Sequence, residues 1–221
     1  MWVVKLGGSL AQSRCLPAWL DVLATRGASN VVIVPGGGPF AGQVRTAQAH
    51  WRFSDTAAHC MAVLAMEQYG IMLLAMCPQL TAAGTPAQLG RLTEGDGACV
   101  WMPTRMVLSD QSLSASWAVT SDSLAAWLAR RLHAEHLVLV KSVQPPAGRP
   151  VSCAELQRRG MVDRAFHTHI DEAAFSSWWC GPDDARRVAL ALTGAMEPGV
   201  RVVGDGMPGP TAESPVPECH G

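Results

Sequence analysis

The first ten residues constrain this chain more than any other stretch: Met1-Trp-Val-Val-Lys-Leu-Gly-Gly-Ser-Leu10. A β-branched apolar run reaches Lys5 and breaks at once into Gly7-Gly8-Ser9. That pattern predicts a buried strand over 2–6 that feeds a tight turn. Glycines let backbone N–H groups close on an anion and lysine adds a point charge, so the stretch suits a phosphate. Lysine occurs only twice, at Lys5 and Lys141, among 17 basic residues. A GC-rich coding bias accounts for the scarcity but not for the placement, since both lysines close apolar, strand-like runs.

The pattern recurs along the chain. A helix is expected over 17–25, with Gly27 past its end, then an apolar strand over 30–34 that runs into Pro35-Gly36-Gly37-Gly38-Pro39. Residues 40–50 can be helical. Ser54 or Asp55 can cap a long Ala/Met-rich helix over 57–69, which Gly70 ends or kinks; 71–76 reads as helix or strand. Residues 89–97 read as loop or short strand, 98–102 as strand and 103–112 as connector. A strongly apolar helix over 124–132 precedes a buried strand over 136–140. Pro145-Pro146 breaks the chain. Residues 151–160 read as a short helix with Ser152 as cap, 162–166 as a turn, 171–177 as ambiguous, 183–193 as helix and 199–203 as the last strand. Strand–glycine–helix units of this kind predict an α/β architecture with a parallel sheet. One domain over 1–203 is expected, followed by a flexible Gly/Pro-rich tail over 204–221.

With 48% apolar and 16% charged residues and a net charge of −1, the chain lacks both the charge excess of a disordered protein and the basic balance of a nucleic-acid binder. Apolar stretches such as 71–76 and 137–140 are too short to span a bilayer, and no basic leader precedes them, so a cytoplasmic protein with no membrane contact is expected. Seven scattered cysteines without a C-x-x-C pair read as reduced thiols, and no metal site is expected from them.

Four segments end strands or open helices with polar groups: Lys5 to Ser9, Gly36 to Gly38, Thr120-Ser-Asp122 and Lys141-Ser142. In an open parallel sheet these lie along one edge, where ligands bind. Two glycine loops, two lysines, one carboxylate and several hydroxyls suit a chain of phosphates. No nucleophile–base pair is evident, and phosphoryl transfer needs none. Neither a Walker A sequence nor G-x-G-x-x-G is present.

These residues resemble the amino acid kinase superfamily, over most of 1–203. Its members open with a strand and Lys-x-Gly-Gly-Ser, matched by Lys5 to Ser9, continue with a strand ending in Gly-Gly-Gly, matched by Gly36 to Gly38, and place an Asp at the head of an apolar helix, matched by Asp122. The resemblance implies a three-layer α/β/α sandwich with a mostly parallel sheet, ATP on one half of its edge and a phosphoryl acceptor on the other. It implies that Lys5 neutralises the transferring group, that Gly7, Gly8 and Ser9, with Ser142, contact nucleotide phosphates, and that Asp122 orients the lysine. Gly36, Gly37 and Gly38 would hold the acceptor. Mg²⁺ follows from the chemistry, with phosphate oxygens and waters as ligands, and a homo-oligomer is expected. Where many members carry Thr-Asp-Val-Asp-Gly, this chain has Lys141-Ser-Val-Gln-Pro145, and no lysine follows, so Lys141 is expected to supply the second positive charge.

Within the superfamily the chain more finely resembles the methanofuran-biosynthesis kinases that act on an aminomethylfuran methyl phosphate. Ser54-Asp55-Thr-Ala-Ala-His59, 65–70, Ser116 to Ser123 and Val162-Asp-Arg-Ala-Phe166 carry that likeness. It implies a small phosphorylated acceptor, converted to a diphosphate. Asp55 or Glu67 could meet its ammonium, His59 shares the Asp55 helix face, and Trp117, beside Thr120, is either core or a plate for a furan or an adenine. Arg45 forks onto the acceptor phosphate or lies at the surface. The rival readings are an isopentenyl phosphate or nucleoside monophosphate kinase of the same fold, or a non-catalytic nucleotide- or anion-binding relative.

Overall fold

The computed structural model describes residues 1–26, 30–91, 97–144, 149–171 and 173–205. Its strands are β1 (Trp2–Leu6), β2 (Val31–Pro35), β3 (Thr81–Ala83), β4 (Cys99–Trp101), β5 (His136–Val140), β6 (Val151–Ser152), β7 (Ser176–Cys180) and β8 (Val200–Val203). They form one sheet in the order β3-β4-β2-β1-β5-β7-β8-β6. Every pairing is parallel except β7 with β8, so the mostly parallel α/β sheet expected from the sequence is present. The strand order reverses between β1 and β5, the place where such sheets leave a crevice.

The helices are α1 (Leu16–Arg26), α2 (Gly38–Trp51), α3 (Asp55–Met76), α4 (Pro86–Gly90), α5 (Thr104–Val107), α6 (Ser121–Arg131), α7 (Cys153–Arg158), α8 (Phe166–Ile170) and α9 (Ala185–Ala191). Because helices cover both faces, the central strands are buried throughout and read as continuous apolar runs rather than alternating ones. On one face Val3, Val34, Leu139 and Trp179 pack with Leu124 and Leu128 of α6 and with Phe166. On the other Val4, Leu6, Ile33 and Val138 pack with Trp19 and Leu23 of α1 and Val188 of α9. The Trp19 indole also donates to the Pro182 carbonyl at 2.7 Å, which ties α1 to the turn before α9.

Several local expectations need correction. Residues 171–177 were ambiguous, yet β7 occupies Ser176–Cys180 at the centre of the right half of the sheet. Its serines and tryptophans lack the β-branched run that marks β1, β2 and β5. Residues 151–160 hold a two-residue strand before α7, with Ser152 capping it as expected by accepting from the Glu155 nitrogen at 3.2 Å. The connector 103–112 contains α5, and 81–90 contain β3 and α4. Gly70 neither ends α3 nor precedes a strand: a side chain there would approach Met102 Sδ to 3.2 Å, so glycine lets the helix close on β4. At 22 residues α3 is long and apolar enough by length and composition to cross a bilayer, which the short stretches weighed in the sequence did not suggest. Its Ala58, Val63, Met66, Tyr69 and Leu73 are buried in the core, so it is a core helix of this fold. Gly27, Pro145-Pro146 and the tail from 206 onward lie outside the described residues.

The loops after β1 and β2 meet backbone to backbone. A Cβ on Gly8 would fall on the Gly38 nitrogen, and one on Gly36 would fall on the Gly8 nitrogen. A Cβ on Gly7 would sit 2.7 Å from the Val140 carbonyl oxygen. These contacts, together with φ +57° at Gly38, require glycine. Gly8→Ala is therefore expected to cost about 1–3 kcal/mol in urea denaturation, as overpacking does. Gly42→Ala, in α2 with nothing within 4 Å of its added Cβ, is expected to gain up to about 1 kcal/mol.

Candidate active site

Register places the two lysines. Lys5 on β1 pairs with Leu139 on β5. Lys141 lies two residues beyond Leu139, so it projects to the same face as Lys5. Helix α6 covers that face and carries Asp122 in its first turn. Asp122 consequently sits between both ammonium groups: Lys5 Nζ is 2.7 Å from Oδ1 and Lys141 Nζ is 2.6 Å from Oδ2. Lys141 also donates to the Met161 carbonyl at 2.8 Å and lies 5.5 Å from the centre of the Trp179 ring.

The cluster is nearly dry, with Lys5 at 4% and Asp122 at 5% exposure. Burial alone would raise the Asp122 carboxyl, but Lys141 and Lys5 outweigh it and hold the group down at about 2. For Lys141 the balance goes the other way: burial lowers it to about 8, only partly offset by Asp122 and deepened by repulsion from Lys5. Two ammonium groups against one carboxylate leave a net positive charge in a low-dielectric wall, which favours an arriving anion.

On one side of the cluster lie Gly7, Gly8 and Ser9. The Ser9 hydroxyl donates to the Ser142 hydroxyl at 2.8 Å, so these exposed side chains bridge the ends of β1 and β5. On the other side is a cavity of ≈ 260 Å³. Gly37 and Gly38 line it where α2 begins, and Gly37 provides no side-chain cap, so the cavity meets the N-terminal end of that helix. Val63, Met66, Val119 and Leu124 form apolar walls, and Arg45, His59, Thr120 and Ser121 are polar ones. Burial lowers the His59 imidazole, which is therefore neutral at neutral pH. A wider cleft of ≈ 740 Å³ shares Arg45, Trp117 and Thr120 with this cavity and reaches Asp122 and Lys141.

Trp117 lines the cavity with both its edge and one face engaged. Its indole N–H donates to Gln48 Oε1 at 2.6 Å, and the Arg45 guanidinium lies 3.6 Å over its ring. Gln48 in turn donates to Asp55 Oδ1 at 2.8 Å. Asp55 thus braces Gln48 and does not line the cavity, and Glu67 accepts from the Thr104 nitrogen at 2.9 Å. Neither carboxylate stands where an acceptor ammonium was expected to meet one. Gly36 packs against Gly8 instead of lining the cavity. Gln48 and the backbone of Met161 carried no signal in the sequence. Asp163 lay in a segment noted only for its likeness to a family; it accepts hydrogen bonds from the first turn of α6. Among the described residues no three His, Cys, Asp or Glu side chains converge as a metal site.

A sequence model of the amino acid kinase family matches residues 1–145. The chain is 26% identical over 213 residues to the [5-(aminomethyl)furan-3-yl]methyl phosphate kinase of Methanocaldococcus jannaschii, covering 92% of this chain and 98% of that one. Among solved structures it is similar to a uridylate kinase from Archaeoglobus fulgidus, with TM-score 0.68 and 16% identity over 91% of this chain and 99% of that one. It is also similar to an isopentenyl phosphate kinase, with TM-score 0.61 and 18% identity over 92% and 100%. These likenesses show the shared fold.

Removing the central carboxylate leaves two buried ammonium groups facing each other. Asp122→Asn is expected to cost about 3–5 kcal/mol of stability at pH 7. It is also expected to move the Lys141 titration below its wild-type position of about 8. Lysine-selective NMR can read this directly, because the chain holds only these two lysines.

Proposed function

The chain belongs to the amino acid kinase family, and we propose that it transfers the γ-phosphoryl group of ATP to the phosphate of [5-(aminomethyl)furan-3-yl]methyl phosphate. An acceptor phosphate oxygen attacks the γ-phosphorus in line, the bond to ADP breaks, and a diphosphate forms. The observation that carries this reading is the net-positive Lys5–Asp122–Lys141 cluster beside a small cavity that begins at a helix N-terminus. Lys5 and Lys141 stabilise the equatorial oxygens of the moving phosphoryl group, and Asp122 fixes both without acting as a base. Lys141 takes the role of the late lysine that many members carry. Gly7, Gly8, Ser9 and Ser142 form the donor side. Gly37 and Gly38 receive the acceptor phosphate.

The cavity supports a compact acceptor, since ≈ 260 Å³ is below the usual range for drug-sized ligands. Its apolar walls and the Trp117 ring suit a five-membered aromatic body. Neutral His59 and the Thr120 and Ser121 oxygens offer hydrogen-bond acceptors to the amine, so no carboxylate is needed. Mg²⁺ would be held by phosphate oxygens and water, because both Asp122 oxygens are taken by lysines. Exposed Met61, Leu64 and Ile71 along α3 support a homo-oligomer, and we place the protein in the cytoplasm.

Acceptor-dependent ADP release tests the reading. The aminomethylfuran phosphate should be turned over with higher kcat/KM than isopentenyl phosphate or UMP. Preference for isopentenyl phosphate, which the apolar walls could also take, would replace this acceptor while keeping the reaction class. Lys5→Ala and Lys141→Ala should each lower kcat by roughly 10²–10³-fold, the loss typical of one charge-stabilising group. Lys141 is charged below about 8 and neutral above it. kcat/KM is therefore expected to fall as pH rises through about 8, whereas kcat, which reports the nucleotide complex, holds to higher pH because bound phosphate favours the charged lysine.

A further inference from the structure

The chain from 159 to 165, between α7 and α8, is fastened to the segment that opens α6 at several points. Asp163 Oδ2 accepts from the Thr120 nitrogen at 2.9 Å, the Thr120 hydroxyl at 2.7 Å and the Ser123 nitrogen at 3.1 Å. Its Oδ1 accepts from the Ser123 hydroxyl. The Ala165 nitrogen donates to the Ala118 carbonyl at 3.0 Å. Two residues before Asp163, the Met161 carbonyl accepts from Lys141. The same short loop therefore holds both partners of one ion pair: the helix turn that carries Asp122, and the ammonium group of Lys141. Gln157 secures the loop from behind by donating to the Arg164 carbonyl at 2.9 Å.

Thr120, the residue that would ordinarily cap α6, makes no side-chain cap bond of its own. The first-turn N–H of Ser123 is instead satisfied by a carboxylate 40 residues away in sequence, which also takes the N–H of Thr120. We propose that Asp163 is a positioning residue for phosphoryl transfer: it locks the first turn of α6 so that Asp122 meets Lys5 and Lys141 together, while the adjoining Met161 carbonyl seats Lys141. The proposal rests on the reading of the Lys5–Asp122–Lys141 cluster as the transfer site. Ser123, which is fully buried, belongs to the same device. Asparagine can substitute in part at 163, since its amide oxygen can take two of the three donors of Oδ2 and its NH₂ can donate to the Ser123 oxygen.

The test combines kinetics with lysine-selective NMR titration of the whole protein. Lys141 faces Asp122, Lys5, the Trp179 ring and the Met161 carbonyl, and only Asp122 is an anion there. If Asp163→Ala lets Asp122 drift, the Lys141 titration moves below about 8. With ATP and the aminomethylfuran phosphate, kcat should fall about 10²-fold with both KM values within about threefold, as expected for a misplacement near 1 Å. Asp163→Asn should recover kcat to within about tenfold of wild type through its retained hydrogen bonds. A merely structural cap would lower the melting temperature while leaving kcat per folded molecule and the Lys141 titration unchanged, and that result overturns the proposal. Should Asp163→Ala not fold, Ser123→Ala gives the same decision: a smaller downward shift of Lys141 supports positioning, and no shift overturns it. Normal turnover in Lys5→Ala and Lys141→Ala would sink the transfer-site reading instead. The NMR titration still reports on Asp163 when the chosen acceptor is not turned over.

Discussion

The pairing register of β1 and β5 is the constraint on which the candidate site depends. With Lys5 opposite Leu139, Lys5 and Lys141 share one face, and that face is the one α6 covers. A slip of one residue in either strand would send one lysine into the opposite apolar layer, among Trp19 and Val188. The burial of two ammonium groups is tolerable only because a carboxylate is delivered between them, and α6 must begin at a fixed height above the sheet to deliver it. The apolar strands thus do more than form a core. By refusing alternative registers, they set the spacing of the charges.

Much of this was legible in the sequence, for identifiable reasons. Lys5 and Lys141 stood out because lysine is otherwise absent, and each closes a β-branched run whose strand assignment holds. Gly7, Gly8 and Gly36 stood out as phosphate loops, but the structure gives them a second reason: backbone approaches that no side chain would permit. What could not be read was whatever depends on distant segments meeting. β7 carries its strand character in Trp178 and Trp179, which pair with β5 and fill opposite layers, and neither is marked by local periodicity. Asp55 looked like an acceptor ligand because it shares a helix face with His59. Its partner, Gln48, comes from the preceding helix and turns it outward into a brace. The role of Asp163 was hidden for the same reason, its donors being 40 and 43 residues away, although its segment carried the family likeness.

The division of labour between the two sides of the site also follows from chemistry. On the proposed reading the donor side is backbone and short hydroxyls, groups that recognise phosphate without regard to what the phosphate is attached to. The proposed acceptor side is built from side chains with shape: Trp117 held at its edge by Gln48 and over its face by Arg45, with Val63 and Met66 lining the same cavity. On that reading selectivity resides on α2, α3 and the segment before α6, and the charge cluster is indifferent to it.

The two glycine loops, touching through backbone atoms, have a mechanical consequence. The two loops, which the proposed function takes as donor and acceptor cradles, have a separation set by van der Waals contact between main chains. No side-chain substitution can lengthen or shorten that separation without forcing the loops apart. A phosphate-to-phosphate distance built this way is a fixed gauge. On the proposed reading, evolution of the acceptor pocket can change what is carried to the gauge, but the gap offered to the phosphoryl group stays the same.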